Sequence, residues 1–485
     1  MGAACCAGAA IAGSAPPTTL LDGTIYSFLS AVPIALYHYY PQITLVLVTL
    51  LVLAASSFYL VIVLLTPEQQ SSSPSELTFL STGAKEPQLL PSLLEELEEK
   101  DDGMNAPVQL SVVVPAYNEK ERLPGMLKET VEFLESLKKQ ERSLVQGLDN
   151  KSSSNGKALP NGKPHLNGNS STDSANSSSV HSALHSPLST YEIIIVDDGS
   201  RDSTHQIALD FASTSSSPAT IRVVRLVKNR GKGGAVRHGV LHSRGSLILF
   251  ADADGATSFP DLAKLCNTMS QIVTAQGHGV AVGSRAHMVK SDAVVKRSFV
   301  RNFLMHSFHL FLTLLLRPPT LGGLIRRLRG TNGKKSPGKR AAKACGERRT
   351  ALPVQPEIKD TQCGFKLFTR PTARLVFPTS HIDGWIFDVE LLILAQTSSQ
   401  LALQQVPPST SLFSSSDEDN DDEGDNEENP LKGLPIPIAE VAVDWKEVGG
   451  SKIDLVKDSI RMALDLIVIR ANYSLGRWKS PPPAL

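Results

Sequence analysis

LILFADADGAT, residues 247–257, is the stretch that decides the fold class. Its apolar run ends abruptly in two acids, Asp252 and Asp254, separated only by Ala253. A short apolar run of this kind predicts a strand that is buried on both faces, as in a parallel sheet. In open parallel sheets, ligands bind beyond the carboxyl ends of the strands. We therefore expect the two acids to lie in a binding cleft.

Similar apolar runs recur along the chain, with helical patterns between them. The predicted strands are 110–114, 192–196, 221–227, 246–250 and 279–283, and helical patterns cover 121–139 and 203–213. Strands that alternate with helices predict an α/β fold, in which helices cover both faces of a mostly parallel, Rossmann-like sheet.

Polar residues follow two more of the predicted strands. VVVPAYNEKERLP places Pro115, Tyr117 and Glu119 at the end of the first strand and the start of a helix. IIIVDDGSRDST ends a buried strand in a pair of acids, the second of which is Asp198. Helix capping explains part of each motif, but buried acids are costly unless they bind something.

A glycine-rich motif, LVKNRGKGGAVRHG, carries the basic residues Lys228 and Lys232. Glycines let backbone amides approach phosphate oxygens, and nearby cations neutralise the phosphate charge. Asp252 and Asp254 supply hard oxygen ligands, which Mg²⁺ and Mn²⁺ prefer. Together these motifs predict a site for a phosphorylated ligand and a divalent cation.

Composition excludes several classes of protein. The 485 residues carry 48 basic and 48 acidic side chains, so we expect no basic face for nucleic acid. Five scattered cysteines are too few for a disulfide framework or a zinc site. A Walker phosphate loop is absent, and no GxGxxG fingerprint follows the first strand, which argues against a dehydrogenase.

One segment is suited to a membrane. Residues 43–65 form an uncharged run of 23 residues, long enough to cross a bilayer as a helix, and we predict a transmembrane anchor there. The other predicted parts are an N-terminal segment (1–42), a linker (66–106), a globular domain (107–478) and a tail (479–485). Polar or charged stretches that cannot bury a core are expected as disordered insertions at 141–189, 317–356 and 408–430.

The order of PAYNE, VDDGS, KNRGKGGA and DADG resembles the inverting nucleotide-sugar glycosyltransferases of family 2, which have the GT-A fold. The resemblance continues through VGSRAH, DTQCGFKLF, WIFDVELL and AVDWKEVGGSK, and it spans about residues 107–478 apart from the insertions. These runs match the branch that glucosylates dolichyl phosphate rather than the branch that mannosylates it. Each motif alone is weak, whereas the ordered set is specific.

The resemblance implies a role for each matching residue. The residues that would bind the nucleotide sugar are Pro115, Tyr117, Glu119, Asp198, Lys228, Lys232, Asp252, Ala253, Asp254, Arg285 and Lys452. Asp252 and Asp254 would also hold Mg²⁺ or Mn²⁺. Ala256 stands where the mannosylating branch has a glutamine, which puts a third side-chain ligand in doubt. Asp360 matches the catalytic carboxylate, whose task is either to accept a proton or to orient a substrate.

The reaction that the resemblance implies is the inverting transfer of glucose from UDP-glucose to dolichyl phosphate, which supplies a glucose donor for N-glycosylation. The expected location is the endoplasmic reticulum membrane, with a single span and the domain in the cytosol. Two alternatives remain open: a related transferase with another donor such as GDP-mannose, and an inactive membrane protein that binds a nucleotide sugar. The motifs carry no information on the number of subunits.

A long lipid acceptor requires an active site that faces a membrane surface. Residues 298–316 and 453–470 are apolar with interspersed basic residues and suit helices in the membrane interface, although packing in the core explains them equally well. Glycosylation sequons at Asn150, Asn169 and Asn176 test the orientation, because glycans there would place the domain in the lumen.

Overall fold

A single strongly apolar helix lies near the start of the described chain. The structure is a computed structural model that describes residues 38–81, 86–95, 107–152, 180, 184, 188–215, 221–290, 355–356, 358–405, 431, 433–450, 452 and 454–484. Helix α1 (Pro41–Leu65) is the one helix in these ranges that is long and apolar enough to cross a membrane. The chain divides after this helix into two units, residues 1–66 and residues 67–485.

The expected linker, residues 66–106, contains packed structure where the structure describes it. A turn of 3-10 helix (Pro74–Leu77) leads into a two-stranded antiparallel hairpin, β1 (Thr78–Phe79) and β2 (Gln88–Leu89). Phe79 and Leu93 are buried, so this segment contributes apolar surface to the core. A few well-spaced apolar side chains thus suffice to pack parts of this otherwise polar segment.

Seven strands form the central mixed sheet. They are β3 (Val108–Ala116), β4 (Tyr191–Asp197), β5 (Ile221–Arg225), β6 (Gly245–Ala251), β7 (Val280–Ser284), β8 (Phe365–Thr369) and β9 (Ile438–Ala442). Their order is β5-β4-β3-β6-β8-β7-β9, and β8 alone among them runs antiparallel to its neighbours. The five predicted strands are confirmed as β3 to β7, whereas β8 and β9 have no counterpart among them.

Seven α-helices of residues 67–485 cover the sheet within the described ranges. They are α2 (Leu123–Ser152), α3 (Thr204–Thr214), α4 (Lys232–Leu241), α5 (Leu262–Ile272), α6 (Arg370–Val376), α7 (Phe387–Gln405) and α8 (Leu455–Ser474). The two predicted helical patterns correspond to α2 and α3.

Alternation along the strands sorts the buried side chains onto two faces of the sheet. Val112 and Val114 of β3 belong to one apolar cluster and Val113 to the other, because successive side chains of a strand point to opposite faces. One cluster includes residues of α2, α3 and α5, and the other includes residues of α4, α6, α7 and α8. The predicted α/β fold, with a mostly parallel sheet between helices, is confirmed.

Most of the expected insertions lie outside the described residues. Helix α2 continues to Ser152, so the beginning of the stretch 141–189 is helical rather than irregular. Only residues 355 and 356 of the stretch 317–356 are described. Residues 408–430 and the candidate interface segment 298–316 lie wholly outside the description.

The reversed direction of β8 brings two distant parts of the chain to the same edge of the sheet. Ala251, the last residue of β6, pairs with Phe365, the first residue of β8. Residues that follow β6 therefore lie beside residues that precede β8. The carboxyl ends of β3 and β4 reach the same edge, since both strands run parallel to β6 or to its neighbour.

Candidate active site

Asp252 and Asp254 follow β6 at this edge of the sheet. The backbone N–H of Asp252 donates to the carbonyl oxygen of Gly364 at 3.1 Å, and a β-carbon on Gly364 would overlap the Asp252 carboxylate. Asp254 Oδ1 accepts the N–H of Ala256 at 3.0 Å, and Ala253 is buried between the two acids. The side chains of Asp252 and Asp254 are 33% and 29% exposed, so a ligand can reach both carboxylates.

Lys232 connects the glycine-rich motif to the acids. It begins α4, and its Nζ lies 2.7 Å from Asp252 Oδ1 and 3.0 Å from Oδ2. Burial would lower the pKa of Lys232, but the charges of Asp252 and Asp388 outweigh that effect and raise it. The ammonium also lies 6.0 Å from the ring centre of Trp385, at the limit of a cation–π contact. Lys232 is therefore charged at neutral pH.

The acid pair fits a divalent cation. Burial raises the pKa of Asp254, and the charge of Asp252 raises it further, because the two carboxylates repel each other. Magnesium is commonly bound by one or two carboxylates together with substrate phosphates. Within the described residues no group of three His, Cys, Asp or Glu side chains gathers into a metal site.

Asp198 binds the glycine-rich motif through backbone amides. Its Oδ1 accepts the N–H of Arg230 at 2.7 Å, and its Oδ2 accepts the N–H of Gly231 at 2.9 Å. Burial raises the pKa of Asp198 to about 7, even though both amides favour the carboxylate. Asp198 therefore fixes the turn that leads into α4 and joins the second motif to the third.

Two of the four cations in the glycine-rich motif pair with acidic side chains from other parts of the chain. Arg230 Nη2 lies 2.5 Å from a carboxylate oxygen of Glu76, and Arg237 pairs at 2.5 Å with an aspartate of the loop before α7. Lys228 is exposed, and Lys232 contacts Asp252. Of the cations in this motif, Lys232 is thus the one that meets the predicted acids.

Glu119 is the centre of a charged cluster at the end of β3. Arg122 donates two hydrogen bonds to it, at 2.7 and 2.6 Å, and Lys452 Nζ lies 2.6 Å from its Oε1. Lys452 also donates to the carbonyl oxygens of Tyr117 and Asn118, and its ammonium lies 5.8 Å from the Tyr117 ring centre. The last predicted motif thus reaches the first, across more than three hundred residues of sequence.

The first motif also approaches the acids. Arg122 Nη1 lies 4.0 Å from Asp254 Oδ2. Arg122 is absent from the predicted site, although its position three residues after Glu119 at the start of a helix is a signal for such a contact. Pro115 lies partly buried in β3, where it pairs in register with Val196.

Arg285 and Asp360 form a two-pronged ion pair. Arg285 Nε lies 2.7 Å from Asp360 Oδ2, and Nη2 donates to Oδ1 at 2.9 Å. Burial alone would raise the pKa of Asp360, but the hydrogen bonds and charge of Arg285 hold it below its ordinary value. The guanidinium also lies 5.6 Å from the ring centre of Trp445. Asp360 is thus an ionised and firmly oriented carboxylate, and a weak proton acceptor.

Comparisons with known proteins agree with the order of the motifs. The model of glycosyl transferase family 2 matches residues 177–326. The dolichyl-phosphate beta-glucosyltransferase of Dictyostelium discoideum is 35% identical over 404 residues, which are 83% of this chain and 85% of that protein. The human dolichyl-phosphate beta-glucosyltransferase is 34% identical over 372 residues, 76% of this chain and 78% of that protein.

A solved structure of glucosyl-3-phosphoglycerate synthase from Mycobacterium tuberculosis, in complex with Mn²⁺, uridine diphosphate and glucosyl-3-phosphoglycerate, is 14% identical to this chain. The match covers 75% of this chain and 80% of that one, with a TM-score of 0.34. The identity and coverage of the two named relatives are the stronger finding. On the identity and coverage of these two relatives, this chain belongs to the dolichyl-phosphate beta-glucosyltransferases of glycosyl transferase family 2.

Proposed function

We propose that this protein transfers glucose from UDP-glucose to dolichyl phosphate, with inversion at the anomeric carbon. A phosphate oxygen of the acceptor attacks that carbon while its bond to the diphosphate breaks, which yields dolichyl β-D-glucosyl phosphate and UDP. The observation that carries the proposal is 35% identity across 83% of the chain to a protein named for this activity. Acids and cations gathered at one edge of the sheet supply suitable chemistry.

The nucleotide would lie over the ends of β3 and β4, against Tyr117, Glu119 and Asp198. Lys228 and Lys232 would then neutralise the diphosphate, since their positions flank the turn that Asp198 holds. Charge-assisted hydrogen bonds of this kind are about twice as strong as neutral ones. Such contacts stabilise the departing diphosphate as its negative charge grows.

Asp252 and Asp254 would hold Mg²⁺ or Mn²⁺. A bound divalent cation supplies positive charge beside the departing diphosphate oxygens. The surrounding residues orient these acids: Gly364 binds the backbone of Asp252, and the backbone of Ala256 binds the Asp254 carboxylate.

Asp360 would orient a substrate rather than accept a proton. A phosphate monoester has its second pKa near 6, so the acceptor is largely ionised at neutral pH and needs little help from a base. The ion pair with Arg285 lowers the pKa of Asp360, which makes it a poor base and a rigid hydrogen-bond acceptor. Arg285 would contact a substrate phosphate with the part of its guanidinium that does not bind Asp360.

We further propose that α1 anchors the protein in the endoplasmic reticulum membrane with the domain in the cytosol. Its length and apolar composition support a span, and the lipid acceptor requires a membrane. Glycans on Asn150, Asn169 or Asn176 after expression in eukaryotic cells would contradict this orientation.

Membranes that contain the full-length protein, incubated with labelled UDP-glucose and dolichyl phosphate, test the reaction. We expect a labelled lipid product that EDTA abolishes and that added Mg²⁺ or Mn²⁺ restores. Parallel incubations with labelled GDP-mannose test the alternative donor. Label transfer from GDP-mannose alone, or nucleotide binding without any lipid product, would overturn the proposal.

A further inference from the structure

Residues 69–80, which we call the strap, come soon after α1 in sequence and pack against the glycine-rich motif. Glu76 is buried within the strap, with 2% of its surface exposed. Its Oε1 accepts the backbone N–H of Val227 at 2.8 Å, and its Oε2 lies 2.5 Å from Arg230 Nη2. One carboxylate therefore holds residues 226–231, the donor loop, at two points.

Arg230 is bound on both sides of the donor loop. Its guanidinium is 6% exposed and donates to Gln70 O, Ser71 O and Ser72 Oγ of the strap, at 3.3 to 3.4 Å. Its own backbone N–H donates to Asp198 at 2.7 Å. Arg230 thus transmits the position of the strap to the turn that Asp198 fixes.

Other contacts hold the strap in place independently of the Glu76 carboxylate. Leu80 exchanges two backbone hydrogen bonds with Val223 of β5, each at 3.0 Å. His238 of α4 lies 2.9 Å from the Glu76 carbonyl oxygen. Because a carbonyl oxygen only accepts, His238 donates from Nε2, and burial lowers the pKa of His238 to about 4, so the ring is neutral. The strap therefore remains attached when the Glu76 carboxylate alone is changed.

The position of the donor loop matters for chemistry because Lys232 comes directly after it. Gly231, at φ 90°, ends the loop, and the ammonium of Lys232 lies on Asp252. Small displacements of catalytic groups are costly, since misplacement by about 1 Å can reduce a rate about a hundredfold. The strap is thus hydrogen-bonded to Val227 and Arg230, which come one residue before Lys228 and two residues before Lys232.

We propose that Glu76 is a positioning residue of the donor site: through Val227 and Arg230 it holds the donor loop in the conformation that binds UDP-glucose. This inference rests on the proposed function. The strap is then part of the active site, and not only a connection between the apolar helix and the globular unit. A purely structural role predicts instead that changing Glu76 alters stability and leaves donor binding intact.

The test compares Glu76→Gln with wild-type full-length protein. Glutamine keeps an oxygen that can accept the backbone N–H of Val227, but it leaves the Arg230 charge without its carboxylate partner. We expect faster hydrogen exchange at the amides of residues 226–231, UDP affinity weaker by about tenfold and a KM for UDP-glucose higher by a similar factor. The KM for dolichyl phosphate should stay unchanged. The double variant Glu76→Gln/Arg230→Gln removes the unpaired charge together with the contact, and its UDP affinity should stay weak, because the donor loop has lost its link to the strap. Recovery of the affinity in the double variant would show that the unpaired charge, and not the lost link, weakens binding, and would overturn the inference.

Arg374→Ala is the matched control, because Arg374 Nη2 donates to Leu94 O and so binds the same N-terminal region to α6, away from the donor loop. In the Arg374→Ala variant, hydrogen exchange at the amides of residues 226–231 and the affinity for UDP should equal those of the wild type. Unchanged exchange or unchanged UDP affinity in Glu76→Gln would overturn the inference, as would an equal loss in Arg374→Ala. Absence of glucosyl transfer by the wild-type protein would instead overturn the proposed function, and these binding measurements separate the two failures.

Discussion

The ammonium of Lys232 contacts both carboxylate oxygens of Asp252, at 2.7 and 3.0 Å. This pair joins the start of α4 to the end of β6, which are the two elements expected to hold the diphosphate. The positive charge is stable, since the surrounding acids raise the pKa of Lys232.

Lys232→Met keeps the length of the side chain and removes its charge. We expect kcat/KM for UDP-glucose to fall about 10- to 100-fold, because a charged hydrogen bond to phosphate is lost. Initial-rate kinetics in detergent or membranes measure the effect. Lys128→Met, on the exposed surface of α2, is the control and should keep wild-type kinetics. A Lys232→Met enzyme with unchanged kcat/KM would contradict the assignment of Lys232 to the diphosphate.

Gly364→Ala tests the packing that fixes Asp252. An alanine β-carbon would overlap the Asp252 carboxylate, so the acid has to move. We expect kcat to fall about a hundredfold, because displacing a catalytic group by about 1 Å can reduce the rate by that factor. The circular dichroism spectrum should stay unchanged. Gly125→Ala in the first turn of α2, where an added β-carbon meets nothing within 4 Å, should leave activity intact. Equal activity in the two variants would show that Asp252 tolerates displacement.

Asp360→Asn separates orientation from proton transfer. Asparagine retains one oxygen for Arg285 and loses the charge, and we expect kcat to fall about 10- to 100-fold. If Asp360 orients a substrate, the variant's rate should depend on pH as the wild-type rate does, because a carboxylate with a lowered pKa stays ionised at neutral pH. Loss of a limb from the pH–rate profile would identify Asp360 as a base. A near-normal rate with bound substrates would remove any role in catalysis.

Asp198→Asn should change how stability depends on pH. The folded protein keeps the Asp198 proton up to about pH 7, whereas an unfolded aspartate releases it near pH 4. Between about pH 4 and about pH 7 the folded state therefore binds more protons than the unfolded state. As the pH rises through this range, Asp198 lowers the free energy of unfolding, by at most about 1.4 kcal/mol per pH unit. Urea unfolding of the wild type and the variant at pH 5 to 8 measures the difference. A difference that does not vary with pH would contradict the raised pKa.

Local pattern was sufficient to predict the first five strands of the sheet and the edge at which the motifs meet. Strand β8 escaped prediction because FKLFT carries a lysine in its second position. Lys366 is fully buried and donates to Asp388 at 2.9 Å and to Cys363 O at 2.6 Å. A buried ammonium is tolerated only with such partners, and Asp388 lies on α7, beyond the reach of local periodicity.

The pairings within the site were likewise beyond prediction from one sequence. Motif order placed Arg285 and Asp360 in the same cleft but gave no sign that each is the other's partner. The glycine-rich motif likewise gave no sign that Arg230 pairs with Glu76, a residue of the expected linker. Which of several cations faces a cleft depends on tertiary contacts, and these bring together residues from distant parts of the chain.

The antiparallel course of β8 has a consequence for length variation. The chain leaves the cleft at Arg285 and returns at Asp360, 75 residues later, where the ion pair closes the excursion. The entropic penalty for closing a segment grows only with the logarithm of its length, about 0.6 kcal/mol per doubling. The separation of the two ends that face the cleft is therefore set by the Arg285–Asp360 ion pair rather than by the length of the segment between them.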